Sequence, residues 1–282
     1  MLASIRLFFS IAGRVGPALA GRIAAWLFAR PRRHRRPDRE RELIARGAPV
    51  PLPDGLSATT WGAGPVVLLV HGWEGRGAQL GALVDPLVSA GYRVIALDGP
   101  AHGDSVGSST SGPEFAAALV KVRDQVGSLA AIVAHSFGGF TSLLAISRGL
   151  VTGRLVIIAA PSSVPEVLEA FIALIHLPRA AVPSMVRALE HRVHGPMASF
   201  EVASFAHAVQ IPVLVAHDTE DREVAYEHGP RLCALLGARL LTTTGHGHRR
   251  ILFAPEVVSA IVDFVGEGSA VRATEHSTQE KS

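Results

Sequence analysis

Short, uninterrupted apolar runs recur along the middle of the chain, each cut off by a loop bearing glycine, histidine or aspartate. Val66-Val67-Leu68-Leu69-Val70, Tyr92 to Leu97, Leu129 to Ala134, Arg154 to Ala159 and Ile211 to Ala216 are of this kind, and Ala238 to Thr243 closes the series. These runs read as strands, and the continuous β-branched run Val66 to Val70 suits a central strand buried on both faces. Longer stretches between them predict helices: Gly77 to Ala90, Pro113 to Val126 and Phe140 to Arg148. Strand and helix alternate, so the expected class is α/β, a mainly parallel central sheet with helices on both faces. Ahead of it, Ala48 to Trp61 reads as a hairpin turning at Pro53-Asp54-Gly55.

Residues 1–47 follow another pattern and are expected to form an extension ahead of the main domain at 48–266, with 267–282 a polar, disordered tail. Leu2 to Phe28 is apolar but interrupted by Arg6, Arg14 and Arg22, and Gly13, Gly16, Pro17 and Gly21 weaken a single straight helix. It holds no unbroken apolar run of about 18 residues, so a spanning helix is not expected. A leader reading would use Ala18-Leu19-Ala20 as its cleavage-like site, but Arg14 cuts the apolar region short. Arg30 to Arg46 reads as a basic, proline-punctuated linker.

Charge sharpens this division. The chain has 282 residues and a formal charge of +3, yet residues 1–46 alone carry +8 and the remainder −5. The basic stretch lacks the aromatic interleaving that nucleic-acid binding would want, so no nucleic acid is expected as a partner. An apolar helix followed by a polybasic segment does offer two membrane signals, and peripheral contact with an anionic membrane through residues 1–46 stands beside the alternative of packing on the domain itself. The single cysteine, Cys233, rules out an internal disulfide framework and fits a reducing, cytoplasmic setting, whether free or peripheral to the inner face of a membrane.

Candidate chemistry gathers where the apolar runs end. Ile132-Val133-Ala134-His135-Ser136-Phe137-Gly138-Gly139 takes a buried strand into a helix through a turn that needs small residues around its centre. Ser136 would sit at the apex, its hydroxyl exposed at the positive end of a helix. Taken alone, the pattern reads equally well as a helix N-cap. His71-Gly72-Trp73-Glu74-Gly75-Arg76-Gly77 follows another buried strand and can leave backbone N–H groups free for an anion, with Trp73 and Phe137 the two expected oxyanion donors. The turn-rich loop Asp98 to Ser105 reads as structural capping.

With these three stretches the chain resembles the α/β-hydrolase superfamily over about residues 48–266. Ala134 stands where the elbow's first glycine is usual, and Ala101 where glycine is frequent in the Asp98 loop. The resemblance implies the order nucleophile, acid, histidine. The family spacing after the strand ending at His217 selects Asp221 over Asp218, and its Gly-His pattern followed by an apolar pair selects His248 over His246. Ser136, Asp221 and His248 are thus the expected catalytic residues, while His71, Gly72 and His135 are expected to shape the substrate-binding surface. The proline-broken apolar segment 161–209 would form a small helical lid.

The implied activity is that of a serine hydrolase of the esterase or thioesterase type, acting on small apolar esters or thioesters through an acyl-enzyme. Acyl transfer, including perhydrolase-like chemistry, on the same triad and a non-catalytic binding protein on this fold are the alternatives. No cofactor or metal is expected: His246 and His248 lack partners at metal-ligand spacing, and no phosphate-cradling glycine loop with a lysine occurs.

Overall fold

The computed structural model describes residues 2–279. Its chain order is α1 (Leu2–Val15), α2 (Pro17–Phe28), α3 (Asp38–Ala45), β1 (Ala48–Pro49), β2 (Ser57–Trp61), β3 (Val66–Val70), α4 (Val84–Ser89), β4 (Arg93–Asp98), α5 (Gly112–Val126), β5 (Leu129–His135), α6 (Phe137–Ser147) and β6 (Leu155–Ile158). There follow α7 (Val164–Leu174), α8 (Val182–Val193), β7 (Val213–Asp218), α9 (His228–Leu236), β8 (Arg239–Thr243), α10 (Gly247–Arg250) and α11 (Pro255–Gln279). The eight strands form one sheet in the order β1-β2-β4-β3-β5-β6-β7-β8, with β2 antiparallel to both its neighbours, β1 and β4, and every other pairing parallel.

Alternation along the buried strands builds the two sides of the core. Leu68 and Val70 of β3 and Ile132 of β5 pack with Phe115, Leu119, Phe140 and Leu232 from α5, α6 and α9. Val67 and Leu69, one residue out of step, pack on the other side with Leu83, Leu87, Ile261 and Phe264 from the turn before α4, from α4 and from α11. Each fully buried leucine contributes about 1.5–3 kcal/mol relative to exposure, which holds the central strands in one register.

That register places the chemistry. Val70 pairs with Ala134, so His71-Gly72 and His135-Ser136 leave the sheet side by side. The chain runs outward from β3 to β4 and then returns across β3 to β5. A crevice opens outside the carboxyl ends of the strands at such a reversal.

The first 47 residues are not a loose extension. The break at Gly16-Pro17 is real, with Pro17 opening α2, where a missing N–H costs nothing. Gly13 and Gly21, however, lie inside helices as contact points: a Cβ at Gly21 would sit 2.3 Å from Ala181 O, and one at Gly13 2.4 Å from Pro178 Cγ. Phe9, Ala20 and Ala24 bury against Leu168, Ile175, Met185 and Leu189 in the segment 161–209. The stretch expected as a basic linker contains α3, which begins at Asp38 with Asp38 and Glu40 in its first turn, where acidic groups favour a helix start. At the other end, α11 carries the backbone on through most of the stretch expected as a disordered tail, and 280–282 lie outside the described residues.

Candidate active site

Ser136 sits between β5 and α6 with φ 54° and ψ −123°, a left-handed conformation that costs a non-glycine residue about 1–3 kcal/mol. Its own N–H donates to Ile158 O at 2.8 Å, and its carbonyl accepts from Gly139 N–H at 2.9 Å, so sheet and helix both hold the strained turn. Smallness around it is enforced by contact. A Cβ at Gly138 would lie 2.5 Å from His71 O, and one at Gly139 2.7 Å from Ala160 Cβ. The Ala134 methyl, by contrast, is accommodated, fully buried within the sheet. A side chain on Gly72 would meet Ser136 Cβ at 2.8 Å, which is why backbone alone can approach the serine there.

The fold brings Asp221 and His248 to this serine. The loop after β7 carries Asp221, and Gly245 and Gly247, both at positive φ, turn the chain after β8 so that His248 lies in the first turn of α10. Ser136 Oγ lies 3.0 Å from His248 Nε2, and His248 Nδ1 lies 2.7 Å from Asp221 Oδ2. An ionised carboxylate only accepts, so Nδ1 carries the proton and Nε2 is left to accept from the serine hydroxyl. Burial raises the Asp221 pKa, but the close approach of His217 and the hydrogen bonds from His248 and the Val224 N–H outweigh it and hold the carboxyl below its ordinary range. Oδ1 accepts from the N–H groups of Glu223 and Val224 at 2.8 and 2.9 Å.

The two neighbours set aside in the sequence do other work. Asp218 accepts from Thr243 Oγ1 at 2.7 Å, from His246 N–H at 3.1 Å and from Glu220 N–H at 2.9 Å, tying together the loops that carry Asp221 and His248. His246 points away, its Nε2 2.8 Å from Glu256 Oε1. Sequence reasoning passed over His217, which is fully buried, donates from Nε2 to Val224 O at 3.0 Å and stands 3.5 Å from Asp221 Oδ2. Its place at the strand end was visible; the contact depends on how the next loop folds back.

His135 adjoins the serine, His71 lies behind it and His102 packs on the His71 ring, all three as neutral groups. His71 donates from Nδ1 to Gly72 O at 2.7 Å and accepts the Gly99 N–H at Nε2 at 2.9 Å, which fixes both its tautomer and the Gly72 turn. His135 donates from Nε2 to the His248 carbonyl at 2.9 Å and so positions the backbone of His248. Burial lowers His71 to about 4, and burial plus the neighbouring histidine lowers His102 and His135 to about 3. An unfolded histidine takes its proton near pH 6.5, so the unfolded chain binds more protons than the folded one between there and about pH 4. Stability therefore falls as pH falls through that window, by a slope approaching about 1.4 kcal/mol per pH unit for each histidine. Melting curves from pH 7.5 to 4.5 should show a declining Tm, and a constant or rising Tm would contradict these assignments.

Ser136 and His248 open into a cavity of about 750 Å³. Trp73, on the loop after β3, and Phe137, the first residue of α6, line it beside them, and neither backbone N–H has a hydrogen-bond acceptor within the described residues. Gly72 and His135 also line it, whereas His71 lies behind the wall and acts through Gly72. Apolar lining comes from Val164, Val167, Phe171, Leu189, Val193 and Met197 in the segment 161–209.

The opposite wall was not foreseen. Leu27, Phe28, Ala29 and Arg30 at the end of α2, and Arg39 and Glu40 of α3, face the same cavity. Basic residues fasten this stretch across the site. Arg32 bonds Glu74 at 2.8 Å, Arg36 pairs with Asp104 at 2.9 Å, and Arg76 pairs with Glu40, both side chains buried. In the sequence this was covered only by the alternative that residues 1–46 pack on the domain itself.

Comparison with known proteins agrees with the fold. Residues 65–208 match the family model described as alpha/beta hydrolase fold, and the chain belongs to that family. No curated protein matches the sequence. Among solved structures, an esterase of Pyrococcus furiosus has a TM-score of 0.63 at 18% identity, the match covering 85% of this chain and 97% of that one. Est1E from Butyrivibrio proteoclasticus, with ferulic acid bound, has a TM-score of 0.63 at 18% identity over 79% of this chain and 99% of the other. A bacterial membrane phospholipase A has a TM-score of 0.62 at 19% identity, covering 82% of this chain and 89% of its own. At such identities the likeness is one of fold.

Proposed function

We propose that this protein is a serine hydrolase that cleaves carboxylic esters or thioesters of apolar acyl groups through an acyl-enzyme on Ser136. The observation that carries the reading is the unbroken relay from Ser136 Oγ to His248 Nε2 at 3.0 Å and from His248 Nδ1 to Asp221 Oδ2 at 2.7 Å. A serine hydroxyl is a weak nucleophile unless a base takes its proton as it attacks. In this reading His248 Nε2 takes that proton while Oγ bonds to the substrate carbonyl carbon. Asp221, held ionised, keeps the imidazole oriented and stabilises its cation.

The carbonyl oxygen becomes an oxyanion, for which the Trp73 and Phe137 N–H groups are the donors at hand; such a donor is typically worth ~10²–10³ in turnover. Collapse of the tetrahedral species expels the alcohol or thiol, which leaves with the proton from His248. Water then gives a proton to His248, attacks the acyl carbon and releases the carboxylic acid, and Ser136 recovers its proton. The largely apolar lining supports an apolar acyl group, because about 0.8 kcal/mol accompanies each buried methylene.

A chain-length series of nitrophenyl esters and acyl thioesters tests this. Specificity, kcat/KM, should climb by up to about fourfold per methylene from acetyl upward until the cavity is filled, then fall. No turnover of any member, or a preference that declines steadily from acetyl, would contradict the assignment.

A further inference from the structure

The inner faces of α1 and α2 are spent on the lid segment, but their outer faces are not. Helical positions turn by roughly 100° per residue, which puts Leu7, Phe8, Ile11 and Val15 on one side of α1 and the buried Phe9 and Gly13 on the other. Leu7, Ile11 and Val15 are 61%, 58% and 86% exposed, and Leu19 and Trp26 are exposed on one side of α2 at 63% and 54%. Exposed apolar side chains gathered on one side of a helix in this way mark an interaction surface.

Charge selects the occupant. Residues 1–37 hold eight arginines and no aspartate or glutamate. Arg14 and Arg22 are exposed on the same side as this face, and the Arg30 guanidinium stands 4.4 Å over the Trp26 ring. A second copy docking by the same patch would set arginine against arginine with no carboxylate in this stretch to relieve it. A surface of anionic phospholipid answers both features, taking apolar side chains below its headgroups and arginines among them. Tryptophan beside arginine also suits that depth. No helix among the described residues is long and apolar enough to cross a membrane, so these helices would lie along the surface.

The face also reaches the cavity. Leu27 lines both the cavity at Ser136 and a surface hollow formed by Ser4, Ile5, Phe8 and Phe9. Leu174, another cavity residue, is 48% exposed, and its carbonyl accepts from Arg6 Nε at 2.8 Å. Outer face and cavity lining therefore adjoin at Leu27 and Leu174.

We infer that the outer face of α1 and α2 docks on an anionic phospholipid bilayer, with the cavity opening beside the docked surface. Docking itself is independent of the hydrolase reading; the consequence, that esters dissolved in the bilayer are taken up as substrates, rests on it. The test uses the full chain carrying Ser136→Ala, which reads binding without turnover, in co-sedimentation with vesicles of phosphatidylglycerol and phosphatidylcholine or of phosphatidylcholine alone. Sedimentation should require the anionic lipid at low salt, weaken at high salt, and fall at least tenfold in affinity with Leu7→Asp and Ile11→Asp together. Arg14→Gln and Arg22→Gln should each cost about fivefold, from roughly 1 kcal/mol per basic residue. Both sets of variants alter exposed positions and, in the Ser136-containing chain, should leave turnover of a soluble short-chain ester unchanged.

Protein that stays in the supernatant with anionic vesicles at low salt would overturn the proposal. So would binding that neither set of variants alters, or self-association that the Leu7 and Ile11 variant disperses. Vesicle binding without hydrolysis of any ester would instead sink the hydrolase reading and leave docking standing.

Discussion

Replacing Ser136 by alanine is expected to lower ester turnover by about 10⁵–10⁶-fold, the scale seen when a triad serine is lost elsewhere. The size follows from the mechanism: without Oγ no acyl-enzyme forms, and what remains is catalysis by binding and oxyanion donors alone. The protein itself should stay folded. The substitution removes one oxygen whose protein partner is His248 Nε2, and the backbone bonds that hold the elbow, from Ser136 N–H to Ile158 O and from Gly139 N–H to Ser136 O, are untouched. Turnover of a nitrophenyl ester, with melting temperature as the fold control, measures it. Retention of more than about a tenth of wild-type turnover, against the loss expected for a triad serine, would remove Ser136 from the mechanism.

Loss of His248 should be as severe. His248→Ala is expected to cost about 10⁶ and Asp221→Asn about 10⁴, because the amide can no longer hold the imidazole in the needed tautomer. His246→Ala is the matched control. Its ring bonds Glu256 at the surface, so turnover should stay within a few-fold of wild type. Asp218→Asn should show itself first in stability, since three groups of two loops hydrogen-bond to that carboxylate. Equal losses at His246 and His248 would mean that the relay seen in the fold is not the one used.

Much of this was legible before any coordinates, and the reason is local. Val66 to Val70 and Leu129 to Ala134 are apolar without a break, and only a strand with both faces covered asks for that. Ends were less certain. The helix after the elbow begins at Phe137, ahead of the first apolar residue past the glycines, because Ser136 already accepts the first helical N–H. The stretch Gly77 to Ala90 divides into a 3₁₀ segment, Gly77–Leu83, kinked at Leu80, and α4.

What escaped the sequence was long-range. Gly13 and Gly21 read as helix breakers by local rules, yet they are where the first two helices meet Pro178 and Ala181 across more than a hundred and fifty residues. The buried Glu40–Arg76 pair and the His217–Asp221 approach likewise depend on chain returns that no spacing encodes. The Ser136, Asp221 and His248 set could be picked out because the family resemblance supplied an order and a spacing. The wall from Leu27 to Glu40 had no such pattern behind it.

Fluorophosphonate labelling followed by intact mass and peptide mapping tests the central claim most directly. The account predicts one equivalent of adduct, on the peptide containing Ser136, abolished by Ser136→Ala and slowed by His248→Ala. No adduct at all would contradict it, as would an adduct on another serine such as Ser162, which is buried against His228 Nδ1 at 2.9 Å.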